Sequence, residues 1–452
     1  MRVHFIKRKQ THVAYFPDTY RFFSINDTAE SLIQSICDEK EFEEVEDIHI
    51  SKGEYLNFKE QIEGYSKKNP SKLDSKLENQ SPIISEKVLS RLAINITNSC
   101  NLECKYCYAN GGNYHSDEHI MKEETLKTTL DKFFSYYDYI QNIQLFGGEP
   151  LMSIRNMEIV CDYVKKINNT QDRKTSIGLV TNGTLINKKF IDLVKKHDLF
   201  VTVSFDGHRL VNDINRIYSN GRGTSQVIID KVSYLKNETN QPGTIEVTYN
   251  KSHTDNNVTV KECVDTCNKL FGDIPIHLVP AGGTPEDNFV LDSNTHLIDS
   301  VDDIFDEWDD GMTSYSLINR IVQALVSKQG NDGYICDAGI GTLSVGADGG
   351  IYPCFMFTDN KDHLLGDIND EALLSSKKAY NILTNLEKFN NKKKNPKCQS
   401  CFMNTMCNGC LGLNELNSGQ IDKLSETDCD MHKKMAEHII VRLTENMEKA
   451  NV

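Results

Sequence analysis

The sequence is short of basic charge and has no long apolar run. Its 50 Lys+Arg are outnumbered by 65 Asp+Glu, for a formal charge of −15. It therefore lacks the cationic surplus that grips duplex phosphates, and no nucleic-acid partner is expected. No window of about 18 apolar residues occurs, and the opening "MRVHFIKRKQTHVAYF" has no apolar core of a signal peptide. Membrane insertion and secretion are thus not encoded, and a cytoplasmic protein is expected. At 452 residues the chain is too long for one ordinary core, so two or three domains are expected.

What is present is cysteine, 14 residues in uneven clusters. Disulfides do not persist in a reducing cytoplasm, so the clustering points to metal or cluster ligation. The densest stretch, "CQSCFMNTMCNGC" from Cys398 to Cys410, holds two Cys-x-x-Cys pairs. Such pairs hold zinc, carry a redox disulfide or ligate an iron–sulfur cluster.

Three short apolar runs, "VHFI", "HVAYF" and "RFFSI", precede a helical pattern through Ala29, Leu32, Ile33, Ile36 and Cys37, capped by Asn26 or Asp27. A second helical pattern lies around Tyr55 to Tyr65, so the start of the chain reads as β-β-β-α-α. Cys37, on the apolar face, is expected to be a core thiol. The polar "SKKNPSKLDSKLENQSP" reads as a linker. From Arg91 onward strand and helix alternate: "RLAINIT", a helix from about Lys122 to Tyr139, "IQLFGG", a helix near Asn156 to Ile167, "SIGLVTNG", a helix around Lys188 to His197, "FVTVSFDG", a helix near Ser225 to Leu235, and "TIEVTYN". Repeated strand-then-helix units predict a parallel α/β barrel, with its site at the strand ends "TNSC", "GGEP", "TNGT" and "SFDG". Cys161, Cys263 and Cys267 fall in helices and are expected to pack.

After the first barrel strand comes "SCNLECKYCYANGG", with Cys100, Cys104 and Cys107 spaced C-x3-C-x2-C. Three thiolates on a four-iron cluster leave one iron open, whereas structural zinc takes a fourth protein donor. This loop, with the aromatic Tyr106 before the last cysteine, resembles the signature of radical S-adenosylmethionine (SAM) enzymes. The resemblance implies a partial (β/α)6 TIM-type barrel and SAM bound at the open iron. It further implies cofactor contacts from Gly147, Gly148 and Glu149 of "GGEP", from the Tyr106 backbone, and from Asn182, Ser204 and Arg216. In that family, reductive cleavage of SAM yields a 5′-deoxyadenosyl radical that abstracts hydrogen from the substrate.

A second set follows: Cys336, Cys354, Cys398, Cys401, Cys407, Cys410 and Cys429, with "VGADGGIYPC" reading as a hairpin turning at Asp348-Gly349-Gly350. A single zinc ribbon does not account for seven cysteines. The set is similar to the SPASM extension of these enzymes. By that resemblance Cys398, Cys401, Cys407 and Cys429 hold one auxiliary cluster and Cys336, Cys354 and Cys410 another, for three [4Fe-4S] clusters in all. Two departures stand out. The Cys407–Cys410 spacer is one residue shorter than the family's, and Gly339, Gly341 and Thr342 stand where fully ligated relatives carry another cysteine, which would leave an iron open to a substrate thiolate.

The layout resembles maturases of ribosomally made peptides that join cysteine sulfur to carbon, of ranthipeptide or sactipeptide type. The expected organisation is a winged-helix-like leader-recognition domain at 1–66, a linker at 67–88, the barrel at 89–290, a bridging region at 291–335 and the SPASM domain at 336–452. Expected partners are a precursor peptide with a leader and a reductant such as flavodoxin or ferredoxin. Carbon–carbon crosslinking and anaerobic sulfatase maturation are the alternatives. The latter is disfavoured because sulfatase maturases carry an aspartate base where this chain has Phe355. A non-catalytic iron–sulfur peptide-binding or electron-carrier protein is the alternative of another class. The polar stretches "GGTPEDNFVLDSN" and Asn69–Ser81 are expected to order only with peptide.

Overall fold

The computed structural model describes residues 1–45, 50–67, 87–114, 116–306, 313–331 and 333–450. The chain opens with an antiparallel sheet of β1 (His4–Arg8), β2 (Thr11–Phe16) and β3 (Arg21–Ser24), then α1 (Asp27–Cys37) and α2 (Lys52–Ser66), the order expected. Asn26 is the cap of α1, accepting from the Ala29 amide at 2.8 Å. Ser51 and Glu54 close a reciprocal capping box on α2. Strand alternation splits β2 between two cores. Ala14 and Phe16 pack with Leu32, Ile33, Tyr55 and Ile62, while Val13 and Tyr15 join the core of the rest of the molecule. Cys37 is half-buried at the rim of the smaller core, shallower than the core position expected. The linker expected at 67–88 lies, but for its ends, outside the described residues, as does Asn69–Ser81.

Six parallel strands follow in chain order: β4 (Val88–Thr97), β5 (Tyr139–Gly147), β6 (Ser176–Thr181), β7 (Phe200–Ser204), β8 (Thr244–Tyr249) and β9 (Ile276–Pro280). Between them run α3 (Glu123–Tyr136), α4 (Ile154–Asn168), α5 (Lys188–His197), α6 (Arg209–Asn215), α7 (Ser225–Glu238), α8 (Lys251–Asp255) and α9 (Val260–Phe271). This is the partial barrel expected. Ile94, Leu145, Leu179, Val203, Val247 and Leu278 face the helices, and the alternate residues line the interior. α3 ends at Tyr136, three residues before the expected end, because Tyr139 pairs with Val88 and opens β5. β9 and α6 escaped the sequence reading, being short elements of five and seven residues. Cys161, Cys263 and Cys267 are buried in the barrel's helical layer, as expected.

α10 (Thr295–Phe305) and α11 (Ser316–Ser327) lead into β10 (Thr342–Val345), β11 (Gly350–Tyr352) and β12 (Gly366–Asp367), then α12 (Lys377–Asn390), α13 (Leu411–Ser418) and α14 (Glu426–Ala450). β10 pairs in parallel with β4, so the cysteine-rich segment continues the barrel sheet in the order β12-β11-β10-β4-β5-β6-β7-β8-β9. The expected hairpin is there, but its turn is Gly346–Gly349, and Gly350 already belongs to β11. The stretch 282–294 is tied to α13, with Gly283 N–H donating to Asn417 Oδ1 at 2.9 Å.

The N-terminal sheet sits on this C-terminal part. His4 stacks on Phe402 with ring centroids 3.7 Å apart and bonds Glu437 at 2.8 Å, and Thr11 donates to Glu445 at 2.8 Å. Among the described residues no helix is long and apolar enough to cross a membrane.

Candidate active site

The loop after β4 carries Cys100, Cys104 and Cys107 and is tied down on both sides. Glu103 N–H donates to Ile217 O at 2.8 Å and Lys105 N–H to Asn215 O at 3.0 Å, which sets Arg216 beneath Cys104. On the other side Gly148 N–H donates to Thr97 O at 3.1 Å and Glu149 N–H to Ser99 O at 2.9 Å. A Cβ on Gly148 would stand 2.2 Å from Ser99 O, and one on Gly147, whose φ is +143°, 1.8 Å from Thr97 O. The two glycines of "GGEP" are therefore required by the cysteine loop itself, with their neighbouring amides spent on it. The expected approach of the same backbone to the cofactor needs the same missing side chain, so the two demands are compatible.

Glu149 is fully buried. Its carboxylate accepts from Thr181 Oγ1 at 2.7 Å, the Asn182 amide at 2.7 Å and the Leu151 amide at 2.9 Å, locking the end of β5 to that of β6. Burial pushes its carboxyl up despite these bonds. Asn182 then points its amide at the cluster loop, donating to Asn101 Oδ1 at 2.9 Å and approaching Cys100 Sγ at 3.9 Å. Ser204 ends β7, nearly buried, beside its register partner Glu246 on β8.

Arg216 lies against Tyr106 and Asp206. Its Nη1 donates to Tyr106 Oη at 2.8 Å, Tyr106 donates to Asp206 at 2.6 Å, and Nη1 to the Asp206 carboxylate is 3.9 Å. The guanidinium expected to contact the cofactor thus also faces a carboxylate of the protein's own, while its buried Nε has no hydrogen-bond partner. Tyr106, read for its backbone, is equally engaged through its hydroxyl. Burial lifts the Asp206 carboxyl to about 6 against the pull of Arg216. A carboxyl raised above its unfolded value makes the native state hold the proton more tightly between about pH 4 and 6. Its contribution to folding is largest at the acid end and is lost as pH rises through about 6. Thermal unfolding of the wild type and of Asp206→Asn across pH 4–7 checks this. The stability difference should fall by up to about 3 kcal/mol between pH 4 and 6 and stay level above.

The C-terminal thiols form two groups. Cys336, Cys354 and Cys410 act electrostatically on one another, and so do Cys398, Cys401, Cys407 and Cys429. All 14 cysteines are free. Burial pushes Cys100 and Cys354 up to about 12 and Cys104, Cys336 and Cys429 to about 11. Thiols in such surroundings become thiolates when a bound cation supplies the charge. Zinc brings its tetrahedral sulfurs within about 3.8 Å of one another. Among the described residues the one group of three donors within 4.8 Å is His12, Asp27 and Glu30, and no cysteine set is that tight. In that group Lys7 Nζ already stands 2.5 Å from Glu30. A cluster's sulfur ligands sit on separate irons and need not be that close. Cys100, Cys104 and Cys107, three soft donors on one loop, are chemically suited to a four-iron cluster with one open iron.

Three residues of this region escaped the sequence reading. Asp206 stood inside the quoted "SFDG". Glu246 is the lone charge in "TIEVTYN", on the face opposite Ile245, Val247 and Tyr249, a period-two signal for a barrel-interior acid. Lys392 is one of several lysines in "NNKKKNPK", and nothing in that run distinguishes it.

Residues 94–263 match the Radical SAM superfamily model, and residues 336–402 match SPASM, the iron–sulfur cluster-binding domain. The chain is 26% identical to the radical SAM cyclopropyl synthase TigE of Paramaledivibacter caminithermalis, over 77% of this chain and 73% of that one. It is 24% identical to a cysteine-type anaerobic sulfatase-maturating enzyme of Clostridium novyi, over 79% of this chain and 97% of that one. The crystal structure of Streptococcus suis SuiB bound to precursor peptide SuiA superimposes with a TM-score of 0.53 at 15% identity, covering 94% of this chain and 98% of SuiB. The strand-end cysteine loop, the parallel barrel and the two domain matches together make this chain a radical SAM enzyme with a C-terminal SPASM domain.

Proposed function

We propose that this enzyme forms thioether crosslinks, from cysteine sulfur to carbon, in a ribosomally made precursor peptide. The observation that carries the reading is the group Cys336, Cys354 and Cys410, three thiols that act on one another, with no other cysteine of the described residues among the main charges acting on them. A four-iron cluster there keeps one iron for a substrate thiolate, a soft donor that iron takes. Gly339 faces Leu383 and Leu386 of α12, and Gly341 faces Ser90, so neither position offers a ligand. When bound at Cys100, Cys104 and Cys107, the cluster with SAM supplies a 5′-deoxyadenosyl radical for hydrogen abstraction. Glu149 and Asn182 then hold the loop, Arg216 and Asp206 fix Tyr106 beneath it, and Ser204 lies at the next strand end within the same mouth.

Phe355, next to Cys354, stacks on Phe146 of β5 with ring centroids 4.3 Å apart. An apolar pair there leaves no base of the kind the sulfatase maturases use, and favours peptide modification. In this reading residues 1–66 recognise a leader by adding it to an edge of the β1-β2-β3 sheet, with winged-helix character. Residues 67–88 link that unit to the barrel at 89–290, a bridge at 291–335 follows, and 336–452 carry two auxiliary clusters, with flavodoxin or ferredoxin as reductant. The precursor peptide bound to SuiB, whose chain this one follows over 94% of its length, supports a peptide substrate.

Co-expression with a neighbouring precursor peptide tests the reading by mass spectrometry. The expected product has lost about 2 Da per crosslink and has no thiol left to alkylate. A modified product with its thiol intact would favour the second reading, carbon–carbon bond formation, to which the likeness to the cyclopropyl synthase TigE lends weight.

A further inference from the structure

Lys392 is 2% exposed, while its neighbours Lys393 and Lys394 face solvent. Its Nζ donates to Asn331 O at 2.6 Å, Asn404 O at 2.7 Å and Cys407 O at 2.7 Å. Three carbonyl acceptors require three N–H bonds, which only the ammonium form has, so the site holds a fixed positive charge. It lies in the wall of a cavity of about 870 Å³ that also presents Cys398, Cys401, Cys407 and Cys429. Its charge favours the thiolates of Cys398 and Cys407.

We propose that Lys392 is a positioning residue for charge, raising the reduction potential of the cluster held by Cys398, Cys401, Cys407 and Cys429. This rests on the reading above that those four cysteines hold one cluster. One-electron reduction of such a cluster adds one negative charge and makes or breaks no bond. A cation buried beside its ligands stabilises the reduced form more than the oxidised one, and low local polarity enlarges the difference. Other charges face the same cavity: Lys397, Lys433 and Arg320 act in the same sense, Glu426, Asp428 and Asp430 against it. Lys397 is exposed and ion-paired with Glu426 at 3.2 Å, which weakens it by solvent screening. Lys392 is separated from solvent and hydrogen-bonded to the carbonyl of a ligand residue. The same bonds also staple the segments at Asn331, Asn404 and Cys407, so loss of the lysine alone does not isolate its charge. Asn404 provides the second handle, because its Oδ1 is buried with no hydrogen-bond partner. Asn404→Asp keeps the lysine and its three bonds and, titrated at a pH well above the range to which burial lifts a carboxyl, sets a negative charge near it.

The test is an anaerobic redox titration of the reconstituted full-length enzyme, followed by electron paramagnetic resonance, with iron counted in every sample. In Lys392→Met and Asn404→Asp the four-cysteine cluster should titrate at a more negative potential while the other two clusters stay where they are. Unchanged potentials in a fully loaded Asn404→Asp protein would overturn the proposal, and that variant alone decides if Lys392→Met does not load. Wild-type protein lacking the iron of one cluster would instead overturn the cluster reading itself.

Discussion

Alanine at Cys100, Cys104 and Cys107 together will abolish formation of 5′-deoxyadenosine from SAM under reducing, oxygen-free conditions. Reconstituted protein will lose about four iron atoms per chain and keep the rest. The loss is expected to be complete because all three thiols lie in one loop, assigned here to one cluster, and no other cysteine among the described residues stands at a barrel strand end. Cys161, Cys263 and Cys267 are buried in the helical layer and cannot substitute. The fold should survive, since the loop is held by backbone bonds from Glu103, Lys105, Gly148 and Glu149 and not by the thiols. Circular dichroism and the SPASM iron content check that point. A triple variant that still cleaves SAM would remove the catalytic assignment of the loop and bring back the reading as a passive iron–sulfur carrier.

Gly148→Ala should have one of the larger effects of any single methyl group added among the described residues, and unlike Gly147 it sits at no positive φ, so the clash acts alone. The new Cβ would meet Ser99 O at 2.2 Å, Ser99 C at 2.4 Å and Cys100 N at 2.8 Å, all of them backbone atoms that no rotamer change can move aside. Overpacking against yielding side chains costs typically 1–3 kcal/mol, and a backbone clash lies at about 3 kcal/mol or beyond. The strand end must retreat from the loop, breaking the bonds from Gly148 to Thr97 and from Glu149 to Ser99. Expected are a lower Tm and loss of iron from the first cluster only. Gly111→Ala is the control, since a Cβ there meets nothing within 4 Å although its φ is +72°. Equal iron loss in both variants would show that loop strain, and not the contact with the strand end, governs loading.

Much of this was legible in the residues. Strand and helix alternation from Arg91 predicted the parallel barrel, because period-two and period-3.6 patterns are local properties of the chain. The C-x3-C-x2-C spacing and the strand-end motifs located the site. What the residues did not disclose were matters of contact. Both glycines of "GGEP" are demanded by Thr97 and Ser99, residues about 50 positions earlier in sequence. Arg216 shares Tyr106 with Asp206. The C-terminal segment joins the barrel sheet, because β10 pairs with β4.

By itself, then, the sequence determined the chemistry on offer: which thiols, at what spacing, following which strands. Side-chain identity and local periodicity are written residue by residue, so ligand type and element type can be read without coordinates. Only the tertiary structure decided which distant groups meet: that Glu149 ties two strand ends, that Asp206 lies under Arg216, and that one lysine of a solvated run is buried among the C-terminal cysteines. Those outcomes depend on how strands separated by tens or hundreds of residues come into register, and burial then raises a carboxyl's hold on its proton or shields a hydrogen-bonded ammonium from screening by water.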